Sequence, residues 1–128
     1  MMKICVTSTG EELDAEVDPR FGRCAYFLLV DPDTMEFVAT PNASGASSGG
    51  AGIQAAQTVA KLGASVVITG SVGPNAYETL SAAGIKIVTG ASGNARSAIQ
   101  RFMEGGFETA SGPTSPPHAG MRGGRRSM

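Results

Sequence analysis

The residues most able to do chemistry lie in one short stretch, Asp18-Pro19-Arg20-Phe21-Gly22-Arg23-Cys24. Two guanidinium groups three residues apart are suited to hold an anion, and a cysteine beside one of them is placed to offer a soft sulfur ligand. A plainer reading of the same stretch is a loop whose arginines pair with Asp18 or Glu16, whose Phe21 fills the core and whose Cys24 is half-buried. Three glycine-bearing segments recur further along, at Ser47-Ser48-Gly49-Gly50-Ala51-Gly52, at Gly70-Ser71-Val72-Gly73-Pro74-Asn75 and at Gly90-Ala91-Ser92-Gly93-Asn94. Each precedes an apolar pattern of helical period. A helix N-terminus offers free N–H donors and a partial positive charge, and glycine lets those donors come close to a ligand.

Some chemistry is ruled out by what is missing. The first glycine segment is not followed by Gly-Lys-Ser/Thr, so it is not a nucleotide-hydrolysing phosphate loop. The single histidine, His118, lies in a Pro- and Gly-rich tail, so no Ser/His/Asp or Cys/His set can be assembled; its plain reading is a solvated residue, with metal contact as the lesser alternative. The carboxylates gather in one loop, Glu11 to Asp18, which reads as solvated, rather than on facing elements, and this leaves general acid–base catalysis without players. The expectation is a binding protein and not an enzyme.

The elements that must position these residues follow from periodicity. Lys3 to Ser8 reads as a first strand and Tyr26 to Val30 as a strand buried on both faces. Asp31-Pro32-Asp33-Thr34 is a turn, with Met35 to Ala39 as the returning partner. Ile53, Ala56, Val59, Ala60 and Leu62 mark the apolar stripe of a helix closed by Gly63. Ser65 to Thr69 and Ile85 to Thr89 are strands, Pro74 opens a helix between them, and Ala95 to Met103 is a third helix. With the first strand's carboxyl end as the top, all three helix starts are expected at the top edge with Arg20, Arg23 and Cys24, where open α/β sheets bind ligands. The candidate anion site is therefore Arg20, Arg23, Cys24, Gly49, Gly50, Gly52, Gly73, Asn75 and Gly93, with Cys24 and, more weakly, His118 as metal ligands.

The chain has 128 residues and a formal charge of −1, enough for one domain and too short for two. Setting aside Arg122, Arg125 and Arg126 leaves seven basic residues against eleven acidic ones, so residues 1–109 carry about −4. That sign disfavours nucleic acid as a partner. Residues 110–128 are rich in Ser, Gly, Pro and Arg and are expected to be disordered. The two cysteines form no CxxC pair, no apolar run reaches membrane-spanning length, and no signal-peptide core opens the chain, so a cytoplasmic location is expected.

Taken together, Asp18-Pro19-Arg20-Phe21-Gly22-Arg23, Asn42 followed by Gly49-Gly50-Ala51-Gly52, Ile68-Thr69-Gly70, Gly73-Pro74-Asn75-Ala76 and Gly84-Ile85 resemble the dinitrogenase iron–molybdenum cofactor biosynthesis family. That family includes NifX- and NafY-type accessory proteins and the carboxy-terminal domain of NifB-type proteins. The resemblance implies an α/β fold of ribonuclease H-like motif, a mixed five-stranded sheet of order 3-2-1-4-5 with helices on its faces. It also implies non-enzymatic binding or carriage of an iron–sulfur or molybdenum-containing cluster, with cluster-donor or acceptor proteins as partners. The alternative is a module for a phosphorylated small molecule or nucleotide held by the same glycine loops.

Overall fold

The computed structural model describes residues 2–42 and 50–107. Its elements are β1 (Ile4–Ser8), β2 (Tyr26–Val30), β3 (Phe37–Pro41), α1 (Ala51–Lys61), β4 (Val66–Ile68), α2 (Pro74–Ala82), β5 (Lys86–Val88) and α3 (Ala95–Met103). One five-stranded sheet has the order β3-β2-β1-β4-β5, as the resemblance implied. β2 is antiparallel to both β1 and β3, while β4 is parallel to β1 and β5. The disordered tail expected over residues 110–128 lies outside the described residues.

The sheet's two faces follow from side-chain alternation along each strand. Cys5, Phe27, Val67 and Ile87 point to one side, where Ala55, Ala56 and Val59 of α1 and Ala76 and Leu80 of α2 cover them. Ile4, Val6, Leu28, Val30, Val66, Ile68 and Val88 point to the other, under Ala95, Ala98 and Ile99 of α3. β1 is central and buried along its whole length, so Cys5 is a core residue.

Handedness explains this division. The crossovers β3-α1-β4 and β4-α2-β5 both move across the sheet in the same direction, and right-handed connections then put both helices on the same face. Among the described residues no strand follows α3, so it is free to cover the face left bare.

Two expectations are corrected in detail. The returning hairpin strand starts at Phe37 rather than Met35, because Met35 takes a left-handed conformation (φ 64°) and belongs to the turn. There the Met35 N–H donates to the Asp31 carbonyl at 2.7 Å and the Asp31 N–H to the Glu36 carbonyl at 2.9 Å. The acidic loop between β1 and β2 is also more than solvated chain. Leu13, Val17 and Asp18 are buried, and the loop forms backbone bridges Ser8 to Val17 and Glu16 to Asn94.

Candidate functional site

Residues 20–23 form a tight turn, closed where the Arg23 N–H donates to the Arg20 carbonyl at 3.2 Å. The two arginines stand at its corners, while Phe21 is buried in the core beside Phe27. Gly22, with φ 28°, is pressed onto the first turn of α1. A Cβ added there would stand 3.1 Å from both the Cα and the N of Gly52. Gly52 in turn meets α2, since a Cβ on it would lie 3.3 Å from the Ala76 Cβ. The arginine turn, the start of α1 and the start of α2 are therefore stacked at contact distance.

The start of this loop is stitched to the β4–α2 connection. Ser71 donates to the Pro19 carbonyl from its N–H at 2.8 Å and from its hydroxyl at 3.0 Å, and the Phe21 N–H donates back to the Ser71 carbonyl at 3.2 Å. Gly70 permits the approach, because any Cβ there would fall 2.6 Å from the Pro19 Cα. Beneath, the buried Thr7 hydroxyl meets the Asp18 carbonyl and the Thr69 hydroxyl, each at 2.8 Å.

Between these parts opens a cavity of about 360 Å³. Arg20, Arg23, Gly50, Gly52, Gly73 and Asn75 line it, which brings together six of the residues singled out from the sequence. Ser71, Ala51, Ile53 and Ala76 also line it and were not anticipated as site residues. Ile53 belongs by period to the buried stripe of α1, yet it is 37% exposed at this cavity. A helical period includes it with Ala56 and cannot tell that a first-turn position overlooks a cleft.

Both helix starts that frame the cavity lack side-chain caps. Gly50 (φ 72°) precedes α1 and Gly73 precedes α2, neither helix has a side-chain cap hydrogen bond, and neither has an acidic residue in its first turn. The first N–H groups of a helix have no intrahelical acceptor, so they and the positive dipole ends are left for another acceptor. α3 differs: Asn94 Oδ1 accepts from the Ser97 N–H at 2.8 Å.

Two expected site residues stand apart. Gly93 and the start of α3 are on the opposite face of the sheet, where the Gly93 carbonyl accepts from the Val17 N–H and the Ala95 N–H donates to the Ala15 carbonyl. Two helix starts converge, not three. Cys24 is 2% exposed, packs in the core with Cys5 and Phe21, and does not line the cavity. Burial, with the Asp18 carboxylate adding, pushes its thiol up to about 12, against hydrogen bonds from Asn42 and backbone N–H groups. A thiol in that state is protonated at neutral pH and a poor metal ligand. Cys5, wholly buried, is pushed higher still by the same cause. Gly49 and His118 lie outside the described residues. Among the described residues no three His, Cys, Asp or Glu side chains are grouped to hold a metal ion.

Charge at the site is moderate. The Arg20 Nε lies 3.7 Å from Asp18 Oδ1, with the arginine side chain 66% exposed, so this contact is well screened. Asp18 also accepts from the Arg20 N–H at 3.0 Å, fixing the turn's first corner.

A family model described as dinitrogenase iron–molybdenum cofactor matches residues 2–105. The chain belongs to that family. Among solved structures, this family member is similar to the apo form of the orange protein from Desulfovibrio gigas, with 49% identity, a TM-score of 0.87, and coverage of 90% of this chain and 98% of that one. A Thermotoga protein provisionally assigned as NifB shares 31% identity at a TM-score of 0.73, covering 91% and 99% of the two chains. The uncharacterized protein MJ0580 of Methanocaldococcus jannaschii is 27% identical over 111 residues, which is 84% of this chain and 91% of the relative. Membership supports a role in cofactor biosynthesis. No helix among the described residues is long and apolar enough to cross a membrane.

Proposed function

We propose that the protein binds an anionic metal–sulfur cluster, or a precursor of one, as cargo and carries it without chemical change. The observation that carries this reading is the cavity framed by two uncapped helix starts and the Arg20–Arg23 turn. Both features attract a compact anion. The family supports cofactor biosynthesis as the setting, and the orange protein, a relative at 49% identity, was solved in an apo form.

The cavity's wall favours a sulfur-rich anion over phosphate. Ala51, Ile53, Pro74 and Ala76 give it an apolar side. Covering a strongly hydrated phosphate with such a surface strips water that two arginines and a few N–H groups replace only in part. A thiometallate spreads its charge over large polarizable sulfurs and loses less. With Cys24 closed into the core, the cluster brings its own sulfur ligands, and the protein holds it through charge and N–H contacts.

The test is anaerobic mixing with tetrathiomolybdate, followed by gel filtration and a visible spectrum of the protein peak. We expect molybdenum to co-elute, binding to weaken with added salt, and Arg20→Ala with Arg23→Ala to abolish it, while Cys24→Ala retains it. Absence of colour in the parent's peak, or full displacement by equimolar phosphate, would sink the proposal; the latter would point instead to a phosphorylated ligand.

A further inference from the structure

Arg23 stands at the cavity on a turn whose first half is tied down by Ser71 and Asp18. Its second half is held by a residue outside the turn. Asn42 directly follows β3, where its N–H donates to the Ala25 carbonyl at 3.0 Å. Its side-chain amide donates to the Gly22 carbonyl at 3.1 Å and to the Cys24 carbonyl at 2.9 Å. These two carbonyls flank Arg23 on either side. The same nitrogen comes within 3.7 Å of Cys24 Sγ.

We propose that Asn42 is the positioning residue of the anion site, locking the peptide of Arg23 so that its guanidinium is presented to the cavity. Asparagine is the side chain the geometry requires. A primary amide has two N–H donors in a fixed fork, and here two acceptor carbonyls lie two residues apart in the chain. Aspartate has the same shape and no hydrogen to give. Alanine leaves both carbonyls without this donor in a half-buried setting. The clamp matters because Gly22 is flexible by nature and sits at a left-handed φ of 28°. Without Asn42, the hinge beside Arg23 keeps its contact with α1 and the Arg23 N–H bond to the Arg20 carbonyl but loses the bonds to the Gly22 and Cys24 carbonyls. An arginine that must be ordered on binding holds its anion less tightly than one already held in place.

This inference rests on the carrier reading for its effect on binding, so it is tested in two independent ways. In the ligand-free protein, hydrogen exchange is measured on peptides spanning residues 18–26 for the parent, Asn42→Ala and Asn42→Asp. Faster exchange confined to that segment is expected in both variants, and exchange equal to the parent's overturns the clamp whether or not any cluster binds. Affinity for tetrathiomolybdate is then measured for the parent, Asn42→Ala, Arg23→Ala and the double variant. Each single variant is expected to weaken binding by about tenfold, the worth of one charge-assisted contact. The double variant should bind no more weakly than Arg23→Ala alone, because Asn42 acts through Arg23. Effects that multiply, or no loss in Asn42→Ala, overturn the positioning role and leave the carrier reading standing. A parent that binds no tetrathiomolybdate removes the carrier reading, and the exchange result then decides the clamp. If Asn42→Ala fails to fold, Asn42→Ser carries the same comparisons.

Discussion

Replacing Gly22 by alanine tests whether the site is assembled by direct backbone contact. At φ 28° an alanine enters the left-handed region, which costs about 1–2 kcal/mol. Its Cβ would also meet Gly52 Cα and N at 3.1 Å and the Ala51 carbonyl carbon at 3.4 Å. All three are backbone atoms in the first turn of α1, so no side chain can swing aside, and overpacking of this kind costs about 1–3 kcal/mol. Reduced freedom of the unfolded chain returns about 0.4–1 kcal/mol. The net loss is about 1–4.5 kcal/mol, which for a domain of this size lowers the melting midpoint by roughly 5–25 °C. The control is Gly73→Ala, where φ is −79° and an added Cβ meets nothing within 4 Å; it should stay within about 0.5 kcal/mol of the parent. Urea unfolding of both variants gives the comparison. If Gly22→Ala lies within about 0.5 kcal/mol of the parent, or Gly73→Ala is as damaging, the stacking of turn on helix is not what holds the site.

Alkaline pH should destabilise the protein through its buried thiols. Cys24 is pushed from an ordinary 9.0 up to about 12 by burial, so stability is intact below about pH 9, where folded and unfolded thiols are both protonated, and is lost as pH rises from about 9 toward about 12. Urea midpoints measured across that window should fall, and should fall less steeply in Cys24→Ala. Asn94→Ala removes the cap of α3 and should cost about 1 kcal/mol. Because that helix starts on the other face of the sheet, tetrathiomolybdate affinity in this variant should match the parent's; a loss would mean that the third helix start reaches the site after all.

The elements were legible because their apolar periods are clean: the run Tyr26 to Val30, the stripe Ala95, Ala98 and Ile99, and Pro74 at a helix start all stand where the sequence put them. The family resemblance supplied the sheet order. Tracking strand direction located the helix starts along the strands, but direction alone does not say which face a helix covers. That needs handedness applied to the sheet order, and it separates α3 from α1 and α2. Cys24 lies in the core for a reason the sequence does not carry. A cysteine beside an arginine has the same sequence whether its thiol faces a cleft or the core, and here Phe21 and Asn42 close over it. The glycines show a similar ambiguity: Gly22, Gly52 and Gly70 are needed where backbone meets other protein atoms, and their spacing looks the same as that of glycines cradling a ligand.

Among the described glycines, Gly73 is one that neither packing nor a positive φ explains. Its φ of −79° and ψ of 174° are open to any residue and suit a helix cap, and space around it is free. Serine or aspartate there would accept from the first N–H groups of α2, which stabilises a helix start more than glycine does by a few tenths of a kcal/mol, and an acidic residue would add about 0.3–1 kcal/mol from the dipole. The protein forgoes that gain at the helix facing the cavity, while taking it with Asn94 at the helix facing away. A capping carboxylate at position 73 would place the protein's own oxygens where the cargo's sulfurs should sit. Gly73→Asp should therefore raise the urea midpoint and lower tetrathiomolybdate affinity by at least about tenfold, since it adds a like charge at close range. A variant that is more stable and binds as well as the parent would show that the uncapped start of α2 has no part in holding the anion.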